Sequence, residues 1–304
     1  MPASTAHEIT EATRARIVFS HITEPADLDA GALINSVGAV TAYEILIGGG
    51  YPELEQLRKR VLPRLNDRIV DDVLAACLRR DIQIVTPESE WWPQHMPALR
   101  ESSPHLLYVR GNVEALALPR PVAIVGARAA TSYGEHVTME LASDLARDHV
   151  IVSGAAYGID GAAHRATLAA GGTTIAYLAG GVERAYPAGH QNLLDRVLAK
   201  GAVVSEVPPG SSPTRWRFLT RNRLIAAHSI ASIVVEAGWR SGSLNEASHA
   251  YDLGRAVGAV PGPITSAASV GCHRLIAEAR ASLITSADDV RHLTGATTKE
   301  ASLV

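Results

Sequence analysis

An anion-binding loop is indicated where an apolar run ends near the middle of the chain. Residues 122–125 run into Gly126 and Arg128, and a helical pattern begins near Ser132 and Gly134. Gly126 permits a tight turn, the unpaired N–H groups of a helix N-terminus favour an anion, and Arg128 and Ser132 add donors. The loop lacks the GxGxxG and GxxxxGK[ST] patterns of nucleotide sites. It therefore predicts a phosphate cradle of another kind, or an ordinary strand–helix turn.

A second loop combines glycines with the residue types of a hydrolase triad. Ser153 and Gly154 follow the apolar run 150–152, and Asp160 and His164 come soon after. A serine hydrolase would use Ser153, Asp160 and His164, but the chain has no GxSxG turn to present the nucleophile. We therefore expect Asp160 to cap the next helix and His164 to be packed and hydrogen-bonded.

Two further segments suit phosphate or nucleic acid. The run Ser241–Ser243 opens a helical pattern after an apolar segment, which is typical of an anion nest. The stretch 215–223 interleaves arginines with Trp216 and Phe218 and contains no acid. Aromatic rings can stack bases of single-stranded nucleic acid while guanidinium groups hold phosphates. The alternative is that the rings anchor the core and the arginines form a solvated face. The arginines of this stretch are Arg215, Arg217, Arg221 and Arg223.

Each of these polar segments follows a short, continuous apolar run. The runs are 122–125, 150–152, 174–178, 203–204, 233–235 and 257–260, with helical patterns at 135–147, 161–170 and 244–253. Apolar strands that alternate with helices indicate a parallel sheet covered on both faces. We predict an α/β, Rossmann-like, doubly wound fold with a mostly parallel sheet. In that fold the residues that follow the strands converge on one crevice.

The chain divides into three parts by pattern. Residues 1–80 show helical spacing of apolar residues, interrupted by Gly48–Gly50 and Pro52, which predicts a small all-helical domain. Such a domain either binds a DNA backbone or serves in docking and packing. Residues 81–118 are predicted to form a connector with two short strands. Residues 119–304 are predicted to form the Rossmann-like domain.

Composition and spacing exclude several classes of protein. Cys77 and Cys272 lie far apart without a CxxC partner, which excludes a disulfide scaffold and a cysteine zinc site. We expect no metal and no cofactor, since His273 beside Cys272 has no further ligand cluster. The net charge of −3 indicates no basic field over the whole chain. No apolar run reaches about 18 residues and the N-terminus lacks a signal pattern, so we expect a cytoplasmic protein without membrane contact.

From about Trp92 to Asp289, the segments resemble the DprA/Smf family of DNA-processing proteins. The first matching motifs are Ala123–Gly126 with Arg128 and Ser132–Gly134, Ser153–Gly154 with Gly158–Asp160 and Ala163–His164, Tyr186–Pro187 and Ser205–Glu206. The later motifs are Arg221–Ala226, Val234–Ala237, Ser241–Leu244, Gly254–Arg255 and Ala259–Gly262. Residues 1–80 are similar to the family's N-terminal SAM-like domain only in type and position.

The resemblance implies a function without enzymatic activity. Such proteins bind single-stranded DNA that enters the cell, protect it, and load RecA onto it during natural transformation, as cytoplasmic homodimers. The DNA contacts implied by the resemblance are Gly126, Arg128, Ser132, Gly134, Ser153, Gly154, Arg221 and Arg223. The anion nest adds Ser241, Gly242 and Ser243 to the predicted phosphate-binding residues.

Several positions depart from the family's pattern. Ala127 stands where a serine is common, Leu219 where a proline is usual, and His273 where an asparagine is usual. Tyr157 stands where a basic residue is frequent in the family, so the resemblance does not supply a phosphate contact at this position. We expect the family's C-terminal winged-helix domain to be absent, because the chain ends soon after the last matched segment.

Asn245 and Glu246 support an alternative function. The family commonly has Ile-Thr-Ala after Ser241–Leu244, whereas this sequence resembles the Gly-Thr-x-x-Glu half of the lonely-guy phosphoribohydrolase motif. A glutamate there could stabilise an oxocarbenium-like state while the nest holds the phosphate of a nucleoside 5′-monophosphate. Arg240–Ser241 replaces that family's Pro-Gly, so this enzyme is the alternative to the main hypothesis. A nucleotide-sensing protein on the same scaffold is the third hypothesis.

Overall fold

Five short helices begin the part of the chain that the structure, a computed structural model, describes, which is residues 9–295. Thr10 and Asp27 start the first two, because their side-chain oxygens accept backbone N–H groups of Thr13 and Ala30. The helices are α1 (Glu11–Ile22), α2 (Leu28–Val37), α3 (Ala39–Gly48), α4 (Glu55–Val61) and α5 (Ile69–Arg80). The predicted N-terminal helical region is confirmed, while its boundary at residue 80 stays a prediction.

A nine-stranded sheet forms the centre of the remaining chain. The strands are β1 (Gln83–Val85), β2 (Leu107–Gly111), β3 (Pro121–Val125), β4 (Val150–Ser153), β5 (Thr174–Tyr177), β6 (Ala202–Ser205), β7 (Ala231–Val234), β8 (Ala256–Ala259) and β9 (Ser282–Leu283). Their order is β1-β2-β6-β5-β4-β3-β7-β8-β9, and every pair from β6 to β9 is parallel. The predicted Rossmann-like fold with a mostly parallel sheet is confirmed.

Helices cover both faces of the sheet, which explains the continuous apolar runs. Val122 and Ile124 pack in a cluster with α6 (Ser132–Leu145), α7 (Ile159–Ala169) and α12 (Ala287–Leu293). Ala123 and Val125, which point the other way, pack with α9 (Arg215–His228), α10 (Gly242–Asp252) and α11 (Val270–Ala277). The remaining helix, α8 (Gln191–Lys200), packs against β5 and β6.

The predicted connector, residues 81–118, adds two strands to the sheet. β1 pairs with β2, and β2 pairs with β6, both in antiparallel orientation, with Tyr108 opposite Ser205. The two strands form an antiparallel extension at one end of the sheet, with β1 at the edge, and mixed sheets commonly carry such strands beside a parallel core. The boundary at residue 118 stays a prediction, although the segment's strands belong to the same sheet.

The N-terminal helices pack on one end of the sheet. Phe19 and Leu46 share an apolar cluster with Tyr108 and Ala176, and the Tyr108 hydroxyl lies 2.8 Å from that of Ser20. Burial of these side chains supplies the main stabilisation of short helices that would be marginal alone.

Within residues 9–295, no single helix has the length and apolarity that a membrane span requires. The pair α2 and α3, bent by 116° to one another, meets these requirements only together and by length and composition alone.

Candidate nucleic-acid interface

A pocket of about 330 Å³ opens at the carboxyl edge of the parallel sheet. It lies where β3 has β4 on one side and β7 on the other, so the chain connections leave in opposite directions and a crevice opens between them. The pocket is lined by Val125, Gly126, Ala127, Arg128, Ala156, Asp160, Phe218, Leu219, Arg221, Asn222, Ile225, Ser241, Gly242, Ser243 and Glu246. The predicted convergence of strand-end residues on one crevice is found for these positions.

Arg221 forms the buried part of this pocket. Its side chain comes from α9, and its guanidinium donates to the backbone oxygen of Tyr177. Burial lowers the pKa of Arg221 to about 10, although the nearby acids Asp160 and Glu246 favour its charged form. The guanidinium stays protonated at neutral pH, so the pocket has a fixed positive charge at its base.

Asp160 lies beside Arg221 at the start of α7. Burial raises the pKa of this carboxyl, while Arg221 and backbone N–H groups of the surrounding loops oppose the rise. One oxygen accepts the N–H of Ala156 at 3.3 Å. The expectation that Asp160 caps the helix needs correction, because Gly158 is the N-cap residue and Asp160 instead binds the loop that precedes it.

Glu246 is the second buried acid of the pocket. Its carboxyl accepts a hydrogen bond from the Ser232 hydroxyl at 2.7 Å, and the side chain is 1% exposed. Burial raises the pKa of Glu246 to about 8, despite the hydrogen bond from Ser232. The carboxyl is therefore mostly protonated at neutral pH and can donate a hydrogen bond.

The predicted anion nest lies at the N-terminus of α10, on the wall of the pocket. Ser241 is the N-cap residue, and its hydroxyl lies 2.7 Å from that of Ser243. Asn222 on α9 donates to the backbone oxygen of Gly242 at 3.2 Å, which fixes the loop against the helix. Two hydroxyl groups and the free end of the helix therefore face the same space.

Arg128 lies at the mouth of the pocket and is exposed. Its guanidinium lies 4.9 Å from the centre of the Phe218 ring, and this ring lies 5.2 Å from that of Tyr186. A cation on an aromatic face is an attractive arrangement that also holds the arginine in place. The mouth thus combines a positive charge with two neighbouring, partly exposed rings that are tilted by 51° to one another.

The first loop differs from the predicted phosphate cradle in one respect. The buried carboxylate of Glu236, at the end of β7, accepts the N–H of Thr131 at 2.9 Å and the Thr131 hydroxyl. Thr131 is the N-cap of α6 and also accepts the N–H of Gly134 at 3.1 Å. A protein carboxylate already occupies this helix N-terminus. Ser132 and Gly134 therefore lie outside the pocket lining, whereas Gly126 and Arg128 belong to it.

Ser153 and Gly154 do not line the pocket but support the residues around it. The Ser153 side chain is fully buried, and its hydroxyl donates to the backbone oxygen of Ile124 at 2.6 Å. A Cβ atom at Gly154 would overlap the guanidinium of Arg221, so the glycine leaves the space that this arginine fills. His164 is packed as expected, with Nδ1 2.7 Å from the Thr174 hydroxyl. The three residues of the rejected hydrolase triad thus have separate structural partners.

The 215–223 stretch belongs to helix α9, so its arginines point in different directions and reach different partners. Arg215 is exposed, Arg217 binds Glu24 of the N-terminal region at 3.1 Å, and Arg221 reaches the pocket. Arg223 is another predicted DNA contact that does not line the pocket: it is buried and binds Glu206 through two bonds of 2.6 Å. An arginine whose charge is already paired has no free donor pair for phosphate, so we remove Arg223 from the candidate site.

The structure adds residues that sequence reasoning missed. Asn222 and Ile225 line the pocket on the same face of α9 as Phe218, whose ring the sequence already suggests for base stacking. They follow Phe218 after four and seven residues, which is the helical spacing that would have found them. Asp160 and Glu246 were identified by type, but their burial beside Arg221 depends on the packing of three separate helices.

Glu246→Gln tests the protonated acid. The native state holds a proton up to about pH 8, whereas an unfolded glutamate releases it near its ordinary 4.5. Wild-type stability should therefore fall as pH rises through this window, and the neutral glutamine should not show this fall. The difference in the free energy of unfolding in favour of Glu246→Gln should grow from pH 5 to pH 8, to at most about 5 kcal/mol. Urea unfolding at several pH values measures it, and a constant difference would contradict the assignment.

Comparisons with known proteins agree with this architecture. The DNA recombination-mediator protein A family matches residues 83–295. A Mycobacterium tuberculosis protein that carries the name DprA is 44% identical over 304 residues, which is 94% of this chain and 76% of the relative. The DNA processing protein DprA of Bacillus subtilis is 36% identical over 252 residues, which is 83% of this chain and 81% of the relative.

Two solved structures share the fold. The DNA processing protein A of Streptococcus pneumoniae has a TM-score of 0.77 at 31% identity, covering 94% of this chain and 98% of that one. The DNA processing protein A of Helicobacter pylori, whose structure concerns its single-stranded DNA binding mode, has a TM-score of 0.63 at 29% identity. It covers 69% of this chain and 94% of that one. The chain therefore belongs to the DNA recombination-mediator protein A family, which includes the DprA and Smf proteins.

Proposed function

We propose that this protein binds single-stranded DNA at the pocket between β3 and β7. The observation that carries the proposal is the combination of a buried positive charge, Arg221, with the exposed Arg128 and the ring of Phe218 at the mouth. Phosphates suit the two guanidinium groups, and unpaired bases suit an aromatic face, which a duplex does not offer. The single-stranded DNA binding mode reported for the Helicobacter pylori relative supports the same function here.

The finer role that we propose follows from family membership. In this role the protein protects incoming single-stranded DNA and loads RecA onto it during natural transformation, as a homodimer in the cytoplasm. The names of the relatives support DNA processing as the biological context. Co-purification of RecA with the tagged protein in the presence of single-stranded DNA, but not duplex, tests the loading role.

We propose that binding occurs without chemical turnover. The alternative, a nucleoside 5′-monophosphate phosphoribohydrolase, needs an anionic carboxylate beside the ribose, whereas Glu246 is mostly protonated at neutral pH. The purified protein should release no free base from AMP, read by chromatography over hours. Base release that Glu246→Gln abolishes would favour the enzyme instead.

Arg128→Ala tests the interface directly. Arg128 is exposed, so its loss should cost about 1 kcal/mol of binding to oligo(dT), which is about fivefold in affinity, and should leave the fold stable. The slope of log affinity against log salt should also decrease by about 0.7, because one fewer phosphate is neutralised. Fluorescence anisotropy with a salt series measures both quantities.

The matched control for this variant is Arg147→Ala. Arg147 is also an exposed arginine, with 78% of its side chain accessible, but it follows α6 at the opposite edge of the sheet. Equal losses for Arg128→Ala and Arg147→Ala would show a general charge effect and overturn the site assignment. Equal affinity of the unmodified protein for single strands and duplex of the same length would overturn the proposed function.

A further inference from the structure

The base of the pocket contains polar atoms without partners. In the described part of the chain, neither Nε of Arg221 nor Oε2 of Glu246 has a hydrogen-bond partner. The two side chains are 5% and 1% exposed, and both line the pocket. An unpaired buried polar group is costly, so a ligand that satisfies both groups gains free energy that a surface contact lacks.

Both unpartnered groups are suited to donate. Arg221 carries an Nε–H group, and a protonated Glu246 carries an O–H group, since burial raises its pKa to about 8. The hydroxyls of Ser241 and Ser243 and the N-terminus of the eleven-residue helix α10 add further donors on the adjacent wall. A ligand that fits this pocket must therefore carry several acceptor oxygens on one compact group.

We propose that the pocket binds a nucleoside 5′-monophosphate group, either as the 5′-phosphorylated end of a single strand or as a free nucleotide. The inference rests on the proposed function, because it assigns the ligand of the same site. A terminal phosphate monoester offers three unesterified oxygens, whereas a phosphodiester within a strand offers two. The terminal group therefore satisfies more of the donors contributed by Arg221, Glu246 and the Ser241–Ser243 nest.

The dimensions of the pocket agree with a single nucleotide. Its volume of about 330 Å³ lies at the lower end of the range of about 300–1,000 Å³ for small-ligand sites. Phe218, with Arg128 on its face, lines the mouth and offers the surface on which one base can stack. A strand end has to leave the pocket in one direction only, whereas an internal nucleotide needs two exits.

The test compares short single strands of one sequence that differ only at the end. The strands carry a 5′-phosphate, a 5′-hydroxyl or a 3′-phosphate, and a circular single strand has no end. We expect the 5′-phosphorylated strand to bind about tenfold more tightly than the 5′-hydroxyl strand. We also expect dTMP, added as a competitor, to remove this preference.

Two variants of Glu246 separate hydrogen bonding from charge. Glu246→Gln keeps a neutral donor and should keep the preference for the 5′-phosphate, whereas Glu246→Met removes the donor and should reduce the preference. Above about pH 8, the unmodified protein should lose the preference and Glu246→Gln should retain it. The charged groups that act on Glu246 are Asp160 and Arg221, Arg128 lines the same pocket, and all three are the same in both proteins. Arg147→Ala, far from the pocket, serves as the control.

The outcomes separate this inference from the proposed function. Equal binding of the 5′-phosphate and 5′-hydroxyl strands, together with no binding of dTMP by calorimetry, overturns the inference, while binding of the circular strand still supports the proposed function. Failure to bind any single strand, with dTMP bound, supports the nucleotide site and overturns the proposed function. Binding of dTMP without a preference among strands supports the inference with a free nucleotide as the ligand.

Discussion

Replacing Arg223 with alanine is expected to lower the free energy of unfolding by about 3–5 kcal/mol, since it leaves a buried carboxylate unpaired. Arg223 makes two bonds of 2.6 Å to Glu206, and the two side chains are 4% and 8% exposed. Its Nε–H also donates to the backbone oxygen of Ser102 at 3.0 Å, which joins α9 to the segment before β2. Thermal unfolding should show a fall in Tm of roughly 5–8 °C.

Under conditions in which Arg223→Ala is folded, its affinity for DNA should be close to that of the unmodified protein. Arg223 does not line the pocket, and its charge is compensated by Glu206 in the unmodified protein. Glu206→Ala should be similarly destabilising, whereas the apolar pair Arg223→Met with Glu206→Leu should recover most of the loss. A variant of normal stability that no longer binds DNA would instead place Arg223 in the interface.

The sequence allowed the fold to be predicted because its strands are buried on both faces. Runs such as Val122–Val125 are continuous and apolar, so each marks a parallel strand to within one or two residues. Helix α9 was harder to predict, since its arginines are spread around all faces and its apolar residues follow no single stripe. The antiparallel addition of β2 to β6 could not be predicted, because hydrophobic pattern does not specify which edge a strand joins.

The candidate site could be predicted only where local geometry determines it. The serines of the Ser241–Ser243 nest cap a helix that begins beside them, so their role follows from neighbouring sequence. The contact of Glu236 with Thr131 depends on β7 lying beside β3, which is a property of the folded sheet. The ion pair between Arg223 and Glu206 also depends on the fold, because Arg223 lies on α9 and Glu206 follows β6. Ion pairs between residues that are distant in the sequence decide which arginines remain free for a ligand. The periodicity of apolar residues does not reveal these pairs.

Gly158→Ala is expected to lower the free energy of unfolding by about 2–5 kcal/mol, from backbone strain and steric overlap together. Gly158 has φ +73° and ψ −127°, a conformation that residues with a Cβ atom adopt rarely. A Cβ atom there would overlap the backbone oxygens of Ala127 and Arg128. Chemical unfolding of the variant measures the loss.

Gly171→Ala separates the two causes. Gly171 also has a positive φ of +80°, but no atom outside its chain neighbours lies within 4 Å of the added Cβ. Its substitution should cost about 1 kcal/mol and leave DNA binding unchanged, because only strain is introduced. If both variants lost the same free energy of unfolding, the steric overlap at Gly158 would add no cost beyond the backbone strain.

DNA affinity distinguishes how the overlap at Gly158 is relieved. The oxygens that a new Cβ atom would meet belong to the loop that carries Arg128, and Ile159 also donates its N–H to Ala127 at 3.2 Å. Movement of this loop would displace Arg128 from the ring of Phe218, so Gly158→Ala should weaken binding of single-stranded DNA about as much as Arg128→Ala. The double variant should then bind no more weakly than either single variant, because both remove the same contact. Additive losses would show instead that the strain spreads to the other walls of the pocket.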